Sequence, residues 1–179
     1  MPDGRANGLI VWITGLSGAG KTTVATRLCE ALLARGFDAD VLDGDVMRRY
    51  ISRELGFDRD SREENIRRIG FVAGLLARHG VIAIVSAISP YRAVRDEVRN
   101  TSVGFFEVYM STPLNVCEQR DVKGLYRRAR SGELRQFTGI DDPYEPPLAP
   151  EIACSAEDQT VDIIVETILR TLLPRLTGD

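Results

Sequence analysis

The stretch GLSGAGKTT, residues 15–23, follows the apolar run LIVWIT (Leu9–Thr14) and leads into the helical pattern KTTVATRLCEALLAR (Lys21–Arg35). It fits the pattern G-x-x-x-x-G-K-[ST] of a phosphate-binding loop, or P-loop. Glycines allow backbone angles that other residues avoid, so successive N–H groups can point toward one anion. A helix that starts directly after the loop adds its dipole and its unpaired N–H groups. Strand, loop and helix together predict a site for a nucleoside triphosphate.

The side chains of the P-loop predict how this triphosphate is held. Lys21 is expected to neutralise the β- and γ-phosphates, and the hydroxyl of Thr22 is expected to bind Mg²⁺. A P-loop does not by itself identify the acceptor of the phosphate. The predicted nucleotide contacts of the loop are Gly15, Leu16, Ser17, Gly18, Ala19, Gly20, Lys21, Thr22 and Thr23.

The composition is that of an ordinary globular protein, and it argues against several classes. The chain has 179 residues, of which 44% are hydrophobic and 27% charged, and its net charge is −3. This length predicts one domain over residues 1–179. No apolar run approaches the roughly 18 residues of a membrane span, and the N-terminal MPDGRANG lacks the layout of a signal peptide. We therefore expect a cytoplasmic protein with no membrane or nucleic-acid partner.

Two residue types have informative counts. The three cysteines, Cys29, Cys117 and Cys154, lack the spacing of metal ligands and are expected to be reduced and mostly buried. Of the 23 basic residues, only Lys21 and Lys123 are lysines. Codon bias explains such a count as well as function does, so the count alone decides nothing.

Short apolar runs alternate with helical periodicity along the chain. This alternation predicts a three-layer α/β domain with a mainly parallel sheet, right-handed crossovers and ligands at the carboxyl ends of the strands. The predicted strands are Leu9–Thr14, Asp38–Asp43, Val81–Ile88, Phe105–Met110 and residues 151–154. The predicted helices are Lys21–Arg35, Asp45–Leu55, one from a Ser61–Glu64 capping box to Gly80, one opened by Pro90, a short one from Pro113, and a last one from Val161.

Residues 120–150 break this rhythm. They contain three glycines and the proline-rich segment DDPYEPPLAP (residues 141–150), with little apolar periodicity. A poorly periodic stretch of this length in a small domain is often functional. We therefore expect a lid over the active site, because a kinase must exclude water that competes for the γ-phosphate.

Charged residues are dense after the second predicted strand, in LDGDVMRRYISRELGFDRDSREENIRRIG (residues 42–70). Asp43 and Asp45 follow that strand directly. We expect the strand to lie beside the P-loop strand, which would direct both carboxylates into the site. Solvated helix faces with salt bridges are the alternative interpretation of such a segment.

Seven segments together resemble one family, the adenylyl-sulfate kinases (APS kinases), over nearly the whole chain. They are GLSGAGKTT, LDGD, LGF, REENIRRIGFVA, AISPYR, RDVKGLYRRAR and FTGIDDPYE. The resemblance implies a nucleotide-kinase-like P-loop nucleoside-triphosphate hydrolase fold, a homodimer, and ATP with Mg²⁺ as donor. It also implies phosphorylation of the 3′-hydroxyl of adenosine 5′-phosphosulfate (APS), which gives 3′-phosphoadenosine 5′-phosphosulfate and ADP in sulfate activation and assimilation.

The resemblance further implies the roles of individual residues. Asp45 corresponds to a carboxylate near the acceptor 3′-hydroxyl, which it can orient and deprotonate. Arginines suit the anionic phosphosulfate because a guanidinium can hold its oxygens in bidentate fashion. The implied acceptor contacts are Asp43, Asp45, Arg48, Phe57, Arg62, Asn65, Ile88, Ser89, Lys123 and Phe137.

Ser89 in AISPYR matches a serine that some members of the family can phosphorylate. A helix N-cap is the alternative interpretation, because serine is a preferred cap. We expect direct in-line transfer as the main path, with Ser89 binding the acceptor, while phosphorylation of Ser89 during turnover stays open. The predicted catalytic residues are Ser89, Asp45 and Lys21.

The predicted lid carries two further matches and one departure. Lys123 is expected to meet phosphate or acceptor when the lid closes, and Arg120 is expected on the ATP side. Val122 stands where the family commonly has proline, which affects stiffness but removes no charge. A second departure lies in the P-loop, where Thr22 replaces the more usual serine and keeps the hydroxyl.

Two other functions are compatible with parts of this pattern. One is a small-molecule or nucleoside monophosphate kinase with a different acceptor, and the other is a nucleotide-binding regulatory module without catalysis. Asp45, Arg62, Asn65, Ser89 and Lys123 together disfavour the second, because a binding module does not need them all. We also expect a stand-alone kinase, or one that meets an ATP sulfurylase only as a separate chain.

Overall fold

A five-stranded parallel sheet with helices on both faces forms the fold, as the alternating pattern predicted. The computed structural model describes residues 8–177. The strands are β1 (Ile10–Gly15), β2 (Ala39–Asp43), β3 (Ile82–Ser86), β4 (Phe105–Met110) and β5 (Ile152–Cys154). The helices are α1 (Lys21–Leu33), α2 (Gly44–Ile51), α3 (Arg59–Arg78), α4 (Arg92–Thr101), α5 (Leu114–Arg120), α6 (Leu125–Arg130) and α7 (Val161–Thr177).

The central strand β1 divides its side chains between two cores. Val11 and Ile13 pack with α1 and α7 on one face of the sheet. Ile10 and Trp12 pack with α3 and α4 on the other face. Side chains of a strand alternate between the two faces, so Thr14 lies on the α3–α4 face as well. The carboxyl ends of β1, β2 and β3 therefore bring the P-loop, Asp43 and the residues after Ser86 to one edge.

The expected position of β2 is wrong. The strand order is β2-β3-β1-β4-β5, so β3 separates β2 from the P-loop strand. Asp43 nevertheless contacts the residue after the P-loop lysine, because the first turn of α1 lies near the carboxyl end of β2. The Thr22 hydroxyl donates to the Asp43 carboxylate at 3.0 Å.

Two helix starts also differ from their predictions. The α3 helix begins at Arg59, and its N-cap is Asp58, whose carboxylate accepts from the Ser61 amide at 3.0 Å. The Ser61–Glu64 capping box is therefore wrong, because an aspartate three residues earlier takes the capping position. The α4 helix begins at Arg92 after Tyr91 as N-cap, so Pro90 lies before the helix and not in its first turn.

The cysteines agree with their prediction. All three are free, with Cys117 and Cys154 buried and Cys29 half-buried. Among residues 8–177, no helix has both the length and the apolar character needed to cross a bilayer.

Candidate active site

The P-loop connects the end of β1 to the first turn of α1. Gly18 and Gly20 have φ values of 75° and 98°, which L side chains rarely adopt. Gly20 is the N-cap of α1 and gives no side-chain hydrogen bond to the helix, and the first turn contains no acidic residue. The N–H groups at this helix start are therefore available to an anion.

Lys21 is buried at the first position of α1, with an exposed fraction of 9%. Its ammonium donates to the Leu16 carbonyl at 2.7 Å, which folds the side chain back along the loop. Burial lowers the pKa of Lys21 from 10.5 to about 8, and Lys123 nearby also lowers it, while Asp43 and Asp45 act against this shift. A polyphosphate would favour the charged form of this amine.

Three side-chain oxygens converge beside the start of α1. The Thr22 hydroxyl lies 3.0 Å from an oxygen of Asp43 and 3.4 Å from the Ser86 hydroxyl. The other oxygen of Asp43 accepts from the amides of Asp45 and Val46 and so caps α2. Among the described residues, no group of three or more His, Cys, Asp or Glu side chains could hold a metal alone.

Asp45 in the first turn of α2 forms an ion pair with Lys123. The side chains are 71% and 60% exposed, respectively, so this pair is solvated. Exposed ion pairs contribute at most about 1 kcal/mol, and a substrate can replace such a contact. Lys21 is part of the P-loop, and the ion pair brings Lys123, the other lysine of the chain, near it.

Arg48, which lies on the same helix as Asp45, contacts Phe57. The Arg48 guanidinium lies 4.3 Å from the centre of the Phe57 ring and donates to the Leu55 carbonyl at 3.1 Å. Phe57 is 60% exposed, which is unusual for a phenylalanine without a partner. The exposed aromatic surface next to a cation suits a planar, anionic ligand.

Arg62 and Asn65 lie on the first turns of α3. The Arg62 guanidinium donates to the Thr138 hydroxyl at 2.5 Å and pairs with Asp142 at 3.5 Å, and it is only 12% exposed. Arg62 thus ties α3 to the segment around Thr138 in this state. The Asn65 side-chain oxygen is buried and has no hydrogen-bond partner among the described residues, so it is free to contact a ligand.

The loop after β3, residues 87–91, is here called the β3–α4 loop. Ser89 in this loop has a φ of 41°, one of the few positive values at a residue other than glycine. Ser89 is 1% exposed, and its hydroxyl contacts Trp12 and Thr14 at 3.0 and 2.9 Å. The hydroxyl at this strand end that lies beside Thr22 is that of Ser86 and not that of Ser89.

The predicted lid contains two different parts. Its first part holds the end of α5 and the helix α6, and Arg120 there donates to the Ala156 carbonyl at 2.7 Å and to the Gly18 carbonyl at 3.4 Å. Its second part, residues 136–146, is here called the strap. Phe137 at the start of the strap is buried and packs edge-on to Tyr126, with ring centres 5.1 Å apart.

The strap is bound to the β3–α4 loop through several hydrogen bonds. The Glu145 amide donates to the Pro90 carbonyl at 2.8 Å, and the Arg92 amide donates to the Glu145 carboxylate at 2.7 Å. The Tyr91 hydroxyl donates to Asp142 at 2.9 Å. Opening of the whole segment 120–150 would break these contacts, so the first part of the lid is the better candidate for motion.

The structure thus brings together most residues singled out in the sequence and adds others. Sequence reasoning missed Ser86, Thr14, Arg95 and Tyr144. Ser86 and Thr14 carry a usable signal, because each is a hydroxyl at the carboxyl end of an apolar strand. Arg95 and Tyr144 carry none, because an arginine on a charged helix and a tyrosine in a loop are both ordinary.

Known proteins resemble this chain along most of its length. Residues 7–155 match the family model for adenylylsulphate kinase. An adenylyl-sulfate kinase of Synechococcus sp. (strain JA-3-3Ab) is 57% identical over 165 residues, which are 92% of this chain and 94% of that protein. The Mycobacterium tuberculosis APS kinase CysC in complex with AMPPNP and APS has a TM-score of 0.89 and 44% identity, covering 94% of this chain and 99% of that one. A hexameric APS kinase from Thiobacillus denitrificans has a TM-score of 0.72 and 34% identity, covering 97% of this chain and 30% of that one.

Proposed function

This chain belongs to the adenylyl-sulfate kinase family of enzymes, and we propose which of its residues carry out the reaction. The reaction transfers the γ-phosphoryl group of ATP to the 3′-hydroxyl of APS, with ADP and 3′-phosphoadenosine 5′-phosphosulfate as products. The observation that supports the residue assignment best is the position of Asp45. Its exposed carboxylate lies at the same sheet edge as the P-loop and is paired with the lysine of the lid.

The P-loop binds ATP in this proposal. The backbone N–H groups of residues 15–20 and the start of α1 surround the phosphates. Lys21 releases the Leu16 carbonyl and neutralises the β- and γ-phosphates, where charge builds up as the phosphoryl group leaves. Arg120 lies next to the P-loop through its contact with Gly18 and would contact ATP from the lid side.

The residues beside Thr22 fit Mg²⁺ bound together with ATP. Their donors are a carboxylate and two hydroxyls, which are the oxygen ligands that a hard cation prefers. Thr22, Asp43 and Ser86 are the residues that would hold the cation. When bound, Mg²⁺ would neutralise part of the phosphate charge.

Asp45 is the proposed general base. Binding of APS replaces Lys123 at the Asp45 carboxylate, which then accepts the hydrogen bond of the 3′-hydroxyl. The oxygen of that hydroxyl attacks the γ-phosphorus, the bond from this phosphorus to the β–γ bridging oxygen breaks, and the proton passes to Asp45. Lys123 moves to the phosphates as the first part of the lid closes.

The remaining acceptor contacts lie on two sides of Asp45. Arg48 and Phe57 offer a cation and an exposed ring, and Asn65 offers an unpartnered side-chain oxygen. An aromatic side chain can stack on a purine because every base has a flat π face. We assign the adenine to the Phe57 side and the anionic phosphosulfate to the arginines. The other proposed contacts are Asp43, Arg62, Ile88, Ser89 and Phe137.

For assembly and location we propose a cytoplasmic homodimer that works beside a separate ATP sulfurylase chain. Phe71 and Leu75 lie on the outer side of α3 and are 68% and 42% exposed, and paired exposed apolar side chains of this kind are common at interfaces. The hexameric relative shows that related kinases can form larger assemblies. The molar mass in solution decides between these states.

The proposed reaction predicts a clear acceptor preference. Purified protein with Mg²⁺ and ATP should convert APS to 3′-phosphoadenosine 5′-phosphosulfate, and ADP should form in equal amount. Gluconate, shikimate and CMP should not be phosphorylated, and with each of them ADP should form only at the rate of ATP hydrolysis without an acceptor. Chromatographic product analysis measures all four acceptors under one set of conditions. Turnover of one of the other three without turnover of APS would contradict the proposal.

Direct in-line transfer predicts that Ser89→Ala keeps measurable turnover. The Ser89 hydroxyl is buried and engaged by Trp12 and Thr14, so it is poorly placed to receive a phosphoryl group. We expect a decrease in kcat of at most about tenfold, since the loss of a buried hydrogen bond costs about 1–3 kcal/mol and only part of it reaches the transition state. Rapid-quench analysis of the wild-type protein for phosphoserine is the second measurement. A Ser89→Ala variant that is folded but fully inactive, together with phosphoserine in the quenched wild-type protein, would contradict direct transfer.

A further inference from the structure

Two consecutive carbonyl groups of the β3–α4 loop are held by side chains from the core. The Thr14 hydroxyl donates to the Ile88 carbonyl at 2.7 Å. The Arg95 guanidinium donates to the Ser89 carbonyl. Thr14 and Arg95 are both buried, with exposed fractions of 0% and 1%. Ser89, which has a positive φ, therefore lies between two peptide carbonyls that both accept hydrogen bonds from buried side chains.

The hydrogen bonds around Thr14 have a defined direction. A carbonyl only accepts, so the single proton of the Thr14 hydroxyl points to Ile88. The Thr14 oxygen can then only accept from its other two neighbours, the Ser89 hydroxyl at 2.9 Å and the Tyr144 hydroxyl at 2.9 Å. Ser89 in turn accepts from the indole N–H of Trp12, which is a donor only. The Thr14 hydroxyl therefore uses its one proton and both of its lone pairs. Thr14 directly precedes Gly15, the first glycine of the P-loop.

Arg95 connects the same loop to β4 and to the strap. Its Nε donates to Glu107 at 3.1 Å, and its second Nη donates to the Glu145 carbonyl at 2.6 Å. The other carboxylate oxygen of Glu107 accepts from Arg99 at 3.1 Å. One buried guanidinium therefore contacts the sheet, the β3–α4 loop and the strap, and its planar fork suits three fixed acceptors better than an ammonium would.

The strap is joined to this cluster through Tyr144. Its ring stacks on Tyr109 with ring centres 5.9 Å apart, and the Arg95 guanidinium lies 5.8 Å from its centre. Burial raises the pKa of Tyr144, so its hydroxyl stays protonated and can donate to Thr14. The P-loop strand, the β3–α4 loop and the strap therefore meet at Thr14.

We propose that Thr14 and Arg95 are positioning residues for the acceptor, because they hold the Ile88 and Ser89 carbonyls in the core and so set the conformation of the β3–α4 loop. The proposal rests on the proposed function, in which this loop contacts APS. Neither residue touches ATP or APS itself. Their effect on the reaction therefore passes through the backbone of residues 88 and 89 and appears in the binding of the acceptor.

Thr14→Val tests the proposal because valine keeps the shape of threonine and removes only the hydroxyl. The Ile88 carbonyl then lacks its donor, and we expect the KM for APS to rise about tenfold. The KM for ATP should stay within twofold, because the P-loop itself keeps its glycines and Lys21. Thr14→Ser restores the hydroxyl and should return the KM for APS to within twofold of the wild-type value. Steady-state rates at varied APS and at varied ATP give both constants.

Matched controls separate positioning from loss of structure. Thr171→Val removes an exposed hydroxyl that bonds only within its own helix α7, and both KM values should be unchanged. Arg95→Lys keeps the charge beside Glu107 but cannot reach all three acceptors, so it should also raise the KM for APS and not that for ATP. If Thr14→Val fails to fold, Arg95→Lys decides by the same two constants.

The outcomes distinguish this proposal from the proposed function. An unchanged KM for APS in folded Thr14→Val, or an equal rise in both KM values, would overturn the positioning role while wild-type turnover of APS stands. Wild-type protein that does not phosphorylate APS contradicts the proposed function and this proposal with it. A selective rise in the KM for APS that serine reverses supports the positioning role.

Discussion

Replacement of Lys21 by methionine is expected to lower kcat by about a hundredfold to a thousandfold with little loss of folded stability. The charge of Lys21 lies where the β- and γ-phosphates are expected, and groups that stabilise transition-state charge in a buried site contribute about 2.7–4 kcal/mol each. Methionine has nearly the same length and shape but no charge. Steady-state kinetics with APS and ATP, and thermal unfolding of the same sample, measure the two effects together.

The burial of Lys21 makes the stability measurement informative. Burial places the pKa of Lys21 at about 8 in the free protein, against 10.5 for an ordinary lysine. The unfolded chain therefore binds one more proton than the folded chain between these two values, and the stability of the free protein rises with pH in that window. Below pH 8 the folded state carries a desolvated charge, which methionine removes. We therefore expect Lys21→Met to unfold at the same temperature as the wild type or higher at pH 7.

The same pKa predicts how the binding of ATP depends on pH. Phosphates favour the charged lysine, so ATP binding should take up a proton when the free protein has lost it. The affinity for Mg²⁺-ATP should fall as the pH rises above about 8, and this dependence should be absent in Lys21→Met. A Lys21→Met variant with kcat within tenfold of the wild type, or one that unfolds many degrees earlier, would show that the lysine has another role.

The sequence was sufficient for the P-loop because the chemistry of this loop is local. Three glycines, a lysine and a threonine within nine residues indicate both the backbone shape of the loop and the kind of ligand it binds. The element types were predictable for the same reason, since apolar periodicity is read within one segment. The acceptor contacts proposed for Asp45, Arg48 and Asn65 come from the family resemblance and stay predictions.

Strand order and buried polar contacts were not predictable in this way. The position of β2 at the edge depends on how β3 pairs with both neighbours, which no local pattern shows. Arg95 reads as one more charged residue on a surface helix, yet tertiary packing buries it against Glu107. The sequence predicts Ser89 as an acceptor contact or a helix cap, whereas the folded chain buries its hydroxyl against Trp12. Tertiary contacts decide each of these features, from 12 positions apart for Arg95 and Glu107 to 77 positions apart for Trp12 and Ser89.

Asp45→Asn is the second change expected to have a large effect, with a decrease in kcat of about a hundredfold to ten-thousandfold. Asparagine keeps the size of aspartate and the N-terminal position on α2, but it cannot accept the proton of the 3′-hydroxyl. The KM for ATP should change little, because Asp43 and not Asp45 contacts Thr22. Steady-state kinetics at saturating ATP and APS measure the loss.

The ion pair with Lys123 requires a separate control, because Asp45→Asn also releases the lysine of the lid. Lys123→Met breaks the same pair and leaves the carboxylate intact, but it also removes the charge proposed to reach the phosphates, so both single variants and the double variant are compared. Asp60→Asn removes a carboxylate from the first turn of α3, and it should leave kcat unchanged. If the pair itself were the important feature, Asp45→Asn, Lys123→Met and the double variant would all lose the same activity. We expect instead that the double variant loses more activity than either single variant, because Asp45 acts on the acceptor proton and Lys123 on the phosphates, which are separate contacts in the reaction.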